Sequence, residues 1–357
     1  MGELRIQLLP VGRGDCLLLR FPDHSWAVID CGQKRGAYEP YNQAASFLNN
    51  EVPTNSPVRF VLATHPHADH DGGILQLLEL LGQTRSIHAV YYSGIERRAA
   101  KASSSWTPDD GVFSFVDEAN ARVARGEIHE CRPLKIGEPI MLDPDIEDFQ
   151  INVLWPDTQI VQTAAGLEVT QMGGKLVNNL SVVLRLEFNG ASALFLGDVQ
   201  GSVCVSVATR GFDGVFPCII KAPHHGAKES ILPWDSFGDV NLRARYVLIS
   251  SPTDEDEHPD VEFLRSIPNQ NWRIRCTGLA RVCTQRQPAE VWPVPRSSSF
   301  VPESLRRSLF SPLGKQRFPQ LGTIKECCLD NRVTLYEDGT IDHSRVSRSC
   351  DGFRDFR

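Results

Sequence analysis

The chain has 357 residues, of which 41% are hydrophobic and 23% charged, an ordinary composition for a globular protein with one large or two smaller domains. Its formal net charge of -7 at pH 7 argues against a whole surface that binds nucleic acid non-specifically, although a local basic groove is compatible with it. No apolar run reaches the roughly 18 residues of a membrane-spanning helix, and the N-terminal segment lacks the pattern of a signal peptide. The ten cysteines are scattered without a CxxC pair, which is typical of reduced thiols in a cytosolic protein. We therefore expect a cytoplasmic protein without a membrane partner.

The first half of the chain alternates between apolar runs and turns. Short apolar runs predict five strands, at "LRIQLLP", "CLLLRF", "WAVIDCG", "VRFVLAT" and "IHAVYYS", and β-branched residues are frequent in "VRFVLAT". The spacing of apolar residues predicts helices at "GGILQLLELLG" and "FSFVDEANARVARG".

The second half repeats the alternation. Strands are predicted at "FQINVLWP", "LSVVLRLEFNG", "SALFLGD", "GVFPCIIKAP" and "ARYVLISS", and a helix at "VEFLRSI". Two runs of strands with helices between them predict an α/β protein in which helices cover two layers of sheet.

The composition changes near Pro293. Residues 293–320 are basic and rich in Pro and Ser, and we interpret them as a linker or exposed arm. One interpretation is that the arm holds a nucleic-acid backbone, but a solvated linker is the preferred interpretation. In residues 321–357 the stretch "RVTLYEDGTIDH" predicts a hairpin with an Asp-Gly turn, followed by a tail. The predicted organisation is therefore a main domain over residues 1–292, the arm, and the C-terminal hairpin and tail.

A cluster of metal-ligand side chains follows the predicted strand "VRFVLAT". We call residues 65–70 the metal loop; it carries His65, His67, Asp69 and His70. Side chains two apart at a strand end point to the same side, and the turn that follows brings Asp69 and His70 towards the same space. Imidazole and carboxylate together suit zinc, manganese or iron. The spacing differs from the helical HExxH zinc motif.

Further motifs along the chain strengthen this interpretation. "AVIDCG" places Asp30 at a strand end, "LFLGD" places Asp198 after a strand, and "IIKAPHHGAKES" supplies two late histidines. In this order the motifs resemble the metallo-beta-lactamase superfamily of binuclear hydrolases over roughly residues 4–285. The resemblance implies a four-layer αββα sandwich. The motifs are also similar to the hydrolase domain of competence proteins of the ComEC type and to phosphocholine esterases, which implies cleavage of phosphodiesters.

The resemblance also implies a set of ligands for two divalent ions, with Zn²⁺ expected and Mn²⁺ as the alternative. His65 and His67 would hold the first ion, and Asp69, His70 and one histidine of the "HHG" motif the second. Asp198 would bridge both. His225 is the favoured ligand of the doublet and His224 a substrate-facing group, but the sequence leaves open which of the two binds. Asp30 is expected to hydrogen-bond ligand histidines or the metal loop.

One part of the superfamily pattern is missing. Most members have a third histidine on the first ion, whereas this chain has Asn178 and Asn179 in "LVNNLS" at that place. Asn178, Asn179 or water would then complete the first site. His88 and His129 are interpreted as ordinary strand or loop histidines.

The expected reaction is hydrolysis by a metal-activated hydroxide. The predicted catalytic residues are Asp69, His224 and Asp198. The predicted substrate-binding residues are Lys228, Ser230 and Asn179, with Arg13 as a further candidate.

A phosphodiesterase, with nucleic acid as a candidate substrate, is the leading functional hypothesis. A small-molecule ester, lactone or thioester hydrolase is the first alternative, because a fold does not fix a substrate. A non-catalytic, metal-stabilised protein that binds an unknown protein partner is the second.

Overall fold

The computed structural model describes residues 2–9, 11, 14–32, 42–95, 115–138, 140, 142, 146, 148–165, 172–210, 216–237, 245–250, 258–268, 272–277, 332–336 and 341–343. These residues form two sheets and eight α-helices. The arm at 293–320 and the tail after residue 343 lie outside the described residues.

The first sheet has eight strands in the order β14-β13-β1-β2-β3-β4-β5-β6. They are β1 (Glu3–Leu8), β2 (Leu17–Arg20), β3 (Trp26–Ile29), β4 (Val58–Ala63), β5 (Ile87–Tyr92), β6 (Glu130–Pro133), β13 (Arg332–Tyr336) and β14 (Ile341–His343). β1, β2 and β3 are antiparallel neighbours, whereas β3 to β6 run parallel. β13 and β14 pair as the predicted hairpin, and β13 also pairs antiparallel with β1. The division of the chain at residues 292 and 320 stays a prediction.

The second sheet has six strands in the order β12-β11-β10-β9-β8-β7. They are β7 (Phe149–Trp155), β8 (Val183–Phe188), β9 (Ala191–Phe195), β10 (Ile219–Lys221), β11 (Arg245–Ile249) and β12 (Trp272–Cys276). β7, β8 and β9 are antiparallel, and β9 to β12 are parallel. Both sheets are therefore mixed.

The helices are α1 (Gln43–Glu51), α2 (Ala68–Asp71), α3 (Ile74–Gly82), α4 (Phe115–Ala124), α5 (Thr158–Ala165), α6 (Gly174–Asn178), α7 (Ser202–Thr209) and α8 (Val261–Ser266). No helix in the part of the chain that the structure describes is long and apolar enough to cross a membrane.

Apolar burial explains the four layers. The largest apolar cluster lies between the sheets and joins side chains such as Ile6 and Leu62 of the first sheet to Leu184 and Ala193 of the second. A second cluster packs α1, α3 and α4 on the outer face of the first sheet, and a third packs α7 and α8 on the outer face of the second. Because both faces of each sheet are covered, the central strands read as nearly continuous apolar runs. The predicted four-layer α/β sandwich is confirmed.

Candidate metal centre

The candidate site lies where strands of both sheets end. Asp30 follows β3, the metal loop follows β4, Asp198 follows β9 and the histidine doublet follows β10. The carboxyl ends of parallel strands meet at one edge of a sheet, which is where α/β proteins bind ligands. The topology therefore brings together residues that are far apart in the sequence.

Backbone contacts hold the metal loop in place. α2 is a single turn, with His67 at its N-cap. The Asp15 backbone N–H donates to the Asp69 carbonyl at 3.0 Å, and the Cys31 N–H donates to the His70 carbonyl at 2.6 Å. A Cβ atom on Gly32 would lie 2.2 Å from the Asp69 carbonyl oxygen, so only glycine permits this approach.

The residues predicted for the first metal site come together. His65 Nε2 lies 3.0 Å from His67 Nδ1 and 3.8 Å from Asp198 Oδ2. His65 is fully buried and Asp198 nearly so, whereas His67 is partly exposed. Three ligand atoms are thus available on this side of Asp198.

The residues predicted for the second metal site also converge. Asp69, His70 and His225 each offer a ligand atom, and these atoms lie within 4.8 Å of one another. His225 Nε2 lies 3.7 Å from Asp198 Oδ2, and His70 Nε2 lies 3.1 Å from the same oxygen. Asp198 therefore contacts both groups of histidines, as a bridging ligand would.

The turn Pro223–Gly226 directs the two histidines of the doublet differently. His224 and His225 have φ of 44° and 54°, a left-handed conformation that is rare for residues other than glycine. His225 is buried beside Asp69 and Asp198, while His224 is partly exposed, with its Nε2 4.0 Å from Asp198 Oδ2. Backbone strain of this kind persists only where the surroundings impose it, and it often marks a functional site.

Comparison with known families decides the identity of the fold. The family model described as the metallo-beta-lactamase superfamily matches residues 9–232, more than half of the chain. The chain belongs to the metallo-beta-lactamase superfamily. Members of this superfamily are mostly metal-dependent hydrolases. No curated protein matches the chain.

Three solved structures are similar to the chain at low sequence identity. The metallo-beta-lactamase fold protein YhfI from Bacillus subtilis has a TM-score of 0.43 and 11% identity, and the match covers 77% of this chain and 96% of the YhfI chain. Human tRNase Z, short form, has a TM-score of 0.38 and 11% identity, over 77% of this chain and 92% of its own. The hydrolase AbOPH has a TM-score of 0.30 and 18% identity, over 52% of this chain and 55% of its own. At this level of similarity the three structures support no statement about substrate.

The contacts predicted for Asp30 are confirmed in this metallo-beta-lactamase fold. Its carboxylate accepts hydrogen bonds from the Thr64 backbone N–H at 2.7 Å and the Thr64 hydroxyl at 2.8 Å. Its Oδ2 also lies 2.8 Å from His70 Nδ1. A carboxylate on one ring nitrogen orients the imidazole and leaves the other nitrogen for a metal.

Two buried charged residues beside the site were not predicted, Asp15 and Lys221. Asp15 is 4% exposed, its Oδ1 lies 3.3 Å from His225 Nδ1, and its Oδ2 pairs with Lys221 Nζ. The sequence signal that could have found Asp15 was its position just before the apolar strand β2. Because β2 runs antiparallel to β3, it starts at the edge of the sheet where β3 and β4 end. Arg13, the candidate in the same turn, lies outside the described residues.

Ser181 connects the segment after α6 to the metal ligands. Its hydroxyl donates to the Asn178 carbonyl at 2.7 Å and accepts from the Asp198 N–H at 3.0 Å. It also lies 3.2 Å from His65 Nδ1. This wholly buried serine therefore fixes two ligands of the first site relative to Asn178.

The predicted substrate-binding residues lie in different surroundings. Asn179 Oδ1 accepts from the Gln200 backbone N–H at 2.7 Å, and the buried Ser230 hydroxyl donates to the Val199 carbonyl at 3.1 Å. Both side chains therefore support the loop that carries Asp198. Lys228 is exposed in the turn Lys228–Ser230. The substrate-binding roles of these residues stay predictions.

His88 and His129 lie away from this site. Their rings stack with centroids 4.8 Å apart near the start of β5 and β6. The metal loop, in contrast, follows the end of β4. A different histidine, His258, approaches the site, with its ring centroid 5.2 Å from that of His224.

The electrostatics of the site favour cations. Asp15, Asp30, Asp69 and Asp198 surround the histidines, and Lys221 is the cation paired with them. Burial alone would raise the pKa of Asp198, but His70 and His225 hold it well below its usual range. Burial lowers the pKa of His70, but Asp198 and Asp30 outweigh this effect and raise it well above the usual value.

The hydrogen-bonding state of buried atoms tests whether a metal fits. Among the described residues, three buried polar atoms of the site have no hydrogen-bond partner: His225 Nε2, Asp198 Oδ1 and Asn178 Oδ1. Buried polar atoms are normally satisfied, so an unsatisfied group of this kind needs an explanation. Nitrogen and carboxylate donors directed to a shared space fit divalent ions such as Zn²⁺.

Proposed function

We propose that the protein is a binuclear metal-dependent phosphodiesterase of the ComEC-like branch. The observation that carries this proposal is the clustering of the six predicted ligands in one place. The six are His65, His67, Asp69, His70, Asp198 and His225. Two bound divalent ions would supply a hydroxide at neutral pH and neutralise charge on a phosphoryl group.

The residues of the chain position the nucleophile and the substrate. Asp198 is held by the Ser181 hydroxyl at its backbone, so its carboxylate is fixed between the two groups of histidines. Asp69 is partly exposed to solvent and is the second carboxylate that orients the nucleophile. Fixed dipoles and charges of this kind need no reorganisation during the reaction.

His224 acts by hydrogen bonding. Burial lowers its pKa to about 4, so its imidazole is neutral at neutral pH and is a poor proton donor to a leaving group. Its Nδ1 lies 2.6 Å from Gln200 Nε2, which fixes the plane of the ring. This favours water over His224 as the source of the leaving-group proton.

A phosphodiester is the substrate class that the motifs support. Exposed Lys228 follows the histidine doublet by three positions and is available to an anionic substrate. The nuclease form of the hypothesis depends partly on the basic arm, which lies outside the described residues. Substrate assays distinguish this proposal from hydrolysis of an ester, lactone or thioester at the same metals.

The test compares substrates and variants. The wild-type protein, loaded with Zn²⁺ or Mn²⁺, is assayed on bis(p-nitrophenyl) phosphate, DNA, RNA and lactones. We expect hydrolysis of the phosphodiesters, with a loss of at least about a hundredfold for Asp198→Ala and His67→Ala, because even partners of metal ligands contribute about 10- to 100-fold. Asn50→Ala, on the exposed face of α1, is the control. Activity that survives both ligand changes, or hydrolysis of lactones alone, contradicts the proposal.

A further inference from the structure

Asp15 links the two sheets beside the candidate metal centre. It lies just before β2 of the first sheet, where its backbone N–H donates to the Asp69 carbonyl at 3.0 Å and its carbonyl accepts from the Gly32 N–H at 2.8 Å. Its side chain contacts His225 and Lys221, which lie in and just after β10 of the second sheet. Asp15 is therefore joined to one proposed ligand by its backbone and to another by its side chain, and these two ligands come from different sheets.

The two ring nitrogens of His225 face different groups. Nε2 lies 3.7 Å from Asp198 Oδ2 and 3.9 Å from Asp69 Oδ2, so it faces the other proposed ligands. Nδ1 lies 3.3 Å from Asp15 Oδ1, and neither of these two buried atoms has another hydrogen-bond partner among the described residues. The ring therefore directs Nε2 to the space between the ligands and leaves Nδ1 to Asp15.

Lys221 occupies the other oxygen of the Asp15 carboxylate. Asp15 Oδ2 pairs with Lys221 Nζ, and the two residues are only 4% and 3% exposed. An ammonium group donates hydrogen bonds and accepts none, so it favours the ionised carboxylate and holds it in one place. Because a buried charge without a partner is costly, the two groups stay together. The oxygen that remains is the one beside His225 Nδ1.

The histidines of the second site therefore share one arrangement. His70 has Nδ1 2.8 Å from Asp30 Oδ2 and Nε2 3.1 Å from Asp198 Oδ2. His225 likewise has Nδ1 beside a carboxylate, that of Asp15, and Nε2 on the side of Asp198. A carboxylate behind an imidazole fixes its tautomer and orientation and makes it a stronger metal ligand.

We propose that Asp15 is the positioning residue of His225. Its carboxylate accepts a hydrogen bond from Nδ1–H and directs Nε2 at the ion of the second site, while Lys221 holds the carboxylate in place. The proposal rests on the metal centre of the proposed function and gives a role to two residues outside the ligand set. Loss of the Asp15 charge should therefore weaken the second site without abolishing it.

The first measurement is chelator competition on the full chain. Zn²⁺-loaded wild-type protein, Asp15→Asn and the double variant Asp15→Asn with Lys221→Met are dialysed against graded EDTA, and bound zinc per chain is measured. We expect two steps of zinc loss in the wild type. One step should shift to chelator concentrations about 10- to 100-fold lower in both variants, because partners of metal ligands contribute about that much. At saturating zinc both variants should still bind two ions.

Thermal unfolding of the metal-free full chain separates positioning from stability. Asp15→Asn leaves the buried Lys221 ammonium unpaired, so this variant should melt at a lower temperature than the wild type. The double variant has no unpaired charge at this place and should recover most of that loss. A purely structural ion pair would recover zinc retention together with stability, whereas a positioning carboxylate leaves the zinc step shifted. If the single variant does not fold, as judged by circular dichroism, the double variant decides.

Two further variants assign the step and control for the substitution. His67→Ala removes a ligand proposed for the first site, so the step that it moves belongs to that site. Asp15→Asn should move the other step. Asp235→Asn makes the same chemical change at an exposed position in the turn Trp234–Phe237 and should overlay the wild type.

The outcomes separate this proposal from the proposed reaction. The positioning role is overturned if both Asp15 variants lose zinc like the wild type, or if they move the step that His67→Ala moves. It is also overturned if an ion is lost outright at saturating zinc, or if the double variant recovers zinc retention. Shifted curves without any phosphodiester hydrolysis uphold the role and refute the reaction, and hydrolysis with coincident curves does the opposite. A wild-type protein that binds no zinc overturns both.

Discussion

His70 shows how single residues are prepared for metal binding. Its Nδ1 lies 2.8 Å from Asp30 and its Nε2 3.1 Å from Asp198, so both ring nitrogens face carboxylates. Without a metal such an imidazole retains a proton, and that proton occupies the atom that an ion needs. Metal binding at this residue is therefore an exchange of protons for a cation.

Metal affinity should rise with pH. Burial lowers the pKa values of His70 and His225, but Asp198 together with Asp30 beside His70 and Asp15 beside His225 outweighs burial and raises both above 6.5. Protons therefore compete with the metal below these raised values, and affinity should increase as pH rises through them and then level off. In the metal-free protein the same protons add stability that is complete below pH 6.5 and is lost as pH rises through the raised values. Calorimetric zinc titrations on either side of pH 6.5 measure the effect, and an affinity independent of pH would refute it.

The site was predictable from sequence where its ligands are local. His65, His67, Asp69 and His70 lie within six positions, and their pattern is recognisable without a structure. Asp15 has no such signature, because an aspartate in a turn is common and its burial depends on Lys221, more than two hundred positions away. Long-range pairing of this kind leaves no local pattern in a single sequence.

Among elements, the turns around α2 depend on close backbone approach. Gly14 and Gly32 both lie against the Asp69 carbonyl, and Cβ atoms there would be 2.0 Å and 2.2 Å from its oxygen. Side chains at these positions would push α2 away from the strands. Because α2 carries two of the ligands proposed for the second site, Asp69 and His70, this packing would control the geometry of the proposed metal centre.

Gly32→Ala should therefore displace the metal loop. The overpacked contact is expected to cost about 1–3 kcal/mol of the free energy of unfolding and to reduce zinc retention. Gly174→Ala is the matched control, since nothing lies within 4 Å of a Cβ atom there. Urea unfolding and bound zinc per chain measure the two variants. Equal stability and zinc content in both would show that the contact with Asp69 is not limiting.

Predictions of elements succeeded where periodicity and propensity agree. The apolar runs predicted as strands correspond to β1 to β5 and β7 to β11, and α3, α4 and α8 were also predicted. α7 was missed because its sequence, "SVCVSVAT", is rich in residues that favour strands. Its helical form is stabilised by packing of Val203 and Val207 on the second sheet, which is a tertiary effect. α2 was missed because it is a single turn made mostly of ligand residues.

At the scale of the whole molecule, the two ends of the described chain meet in one sheet. β13 pairs with β1 along the register Glu3↔Tyr336 to Gln7↔Arg332. Without β13 the backbone groups on that side of β1 would form an open edge. Open edges are prone to pair with other chains.

Removal of the C-terminal hairpin should destabilise the protein. A chain that ends at residue 331 is expected to lose more than about 1 kcal/mol, which corresponds to a melting temperature lower by more than about 2–4 °C, and to aggregate more readily. A chain that ends at residue 343 keeps β13 and β14 and is the control. Thermal unfolding with light scattering compares the two. If both truncations melt like the full chain, the pairing with β1 contributes nothing measurable.

The proposed ligands are divided between the two sheets, and this division determines when the candidate site can form during synthesis of the chain. The histidines of the metal loop follow β4 of the first sheet, whereas Asp198 and His225 follow strands of the second sheet, which are synthesised later than β4. A nascent or cleaved polypeptide that ends before β9 lacks Asp198 and His225, and so it would lack the carboxylate proposed to bridge the two ions. Under the proposed function, hydrolysis would therefore begin only after β9 and β10 have been synthesised and have packed against the first sheet.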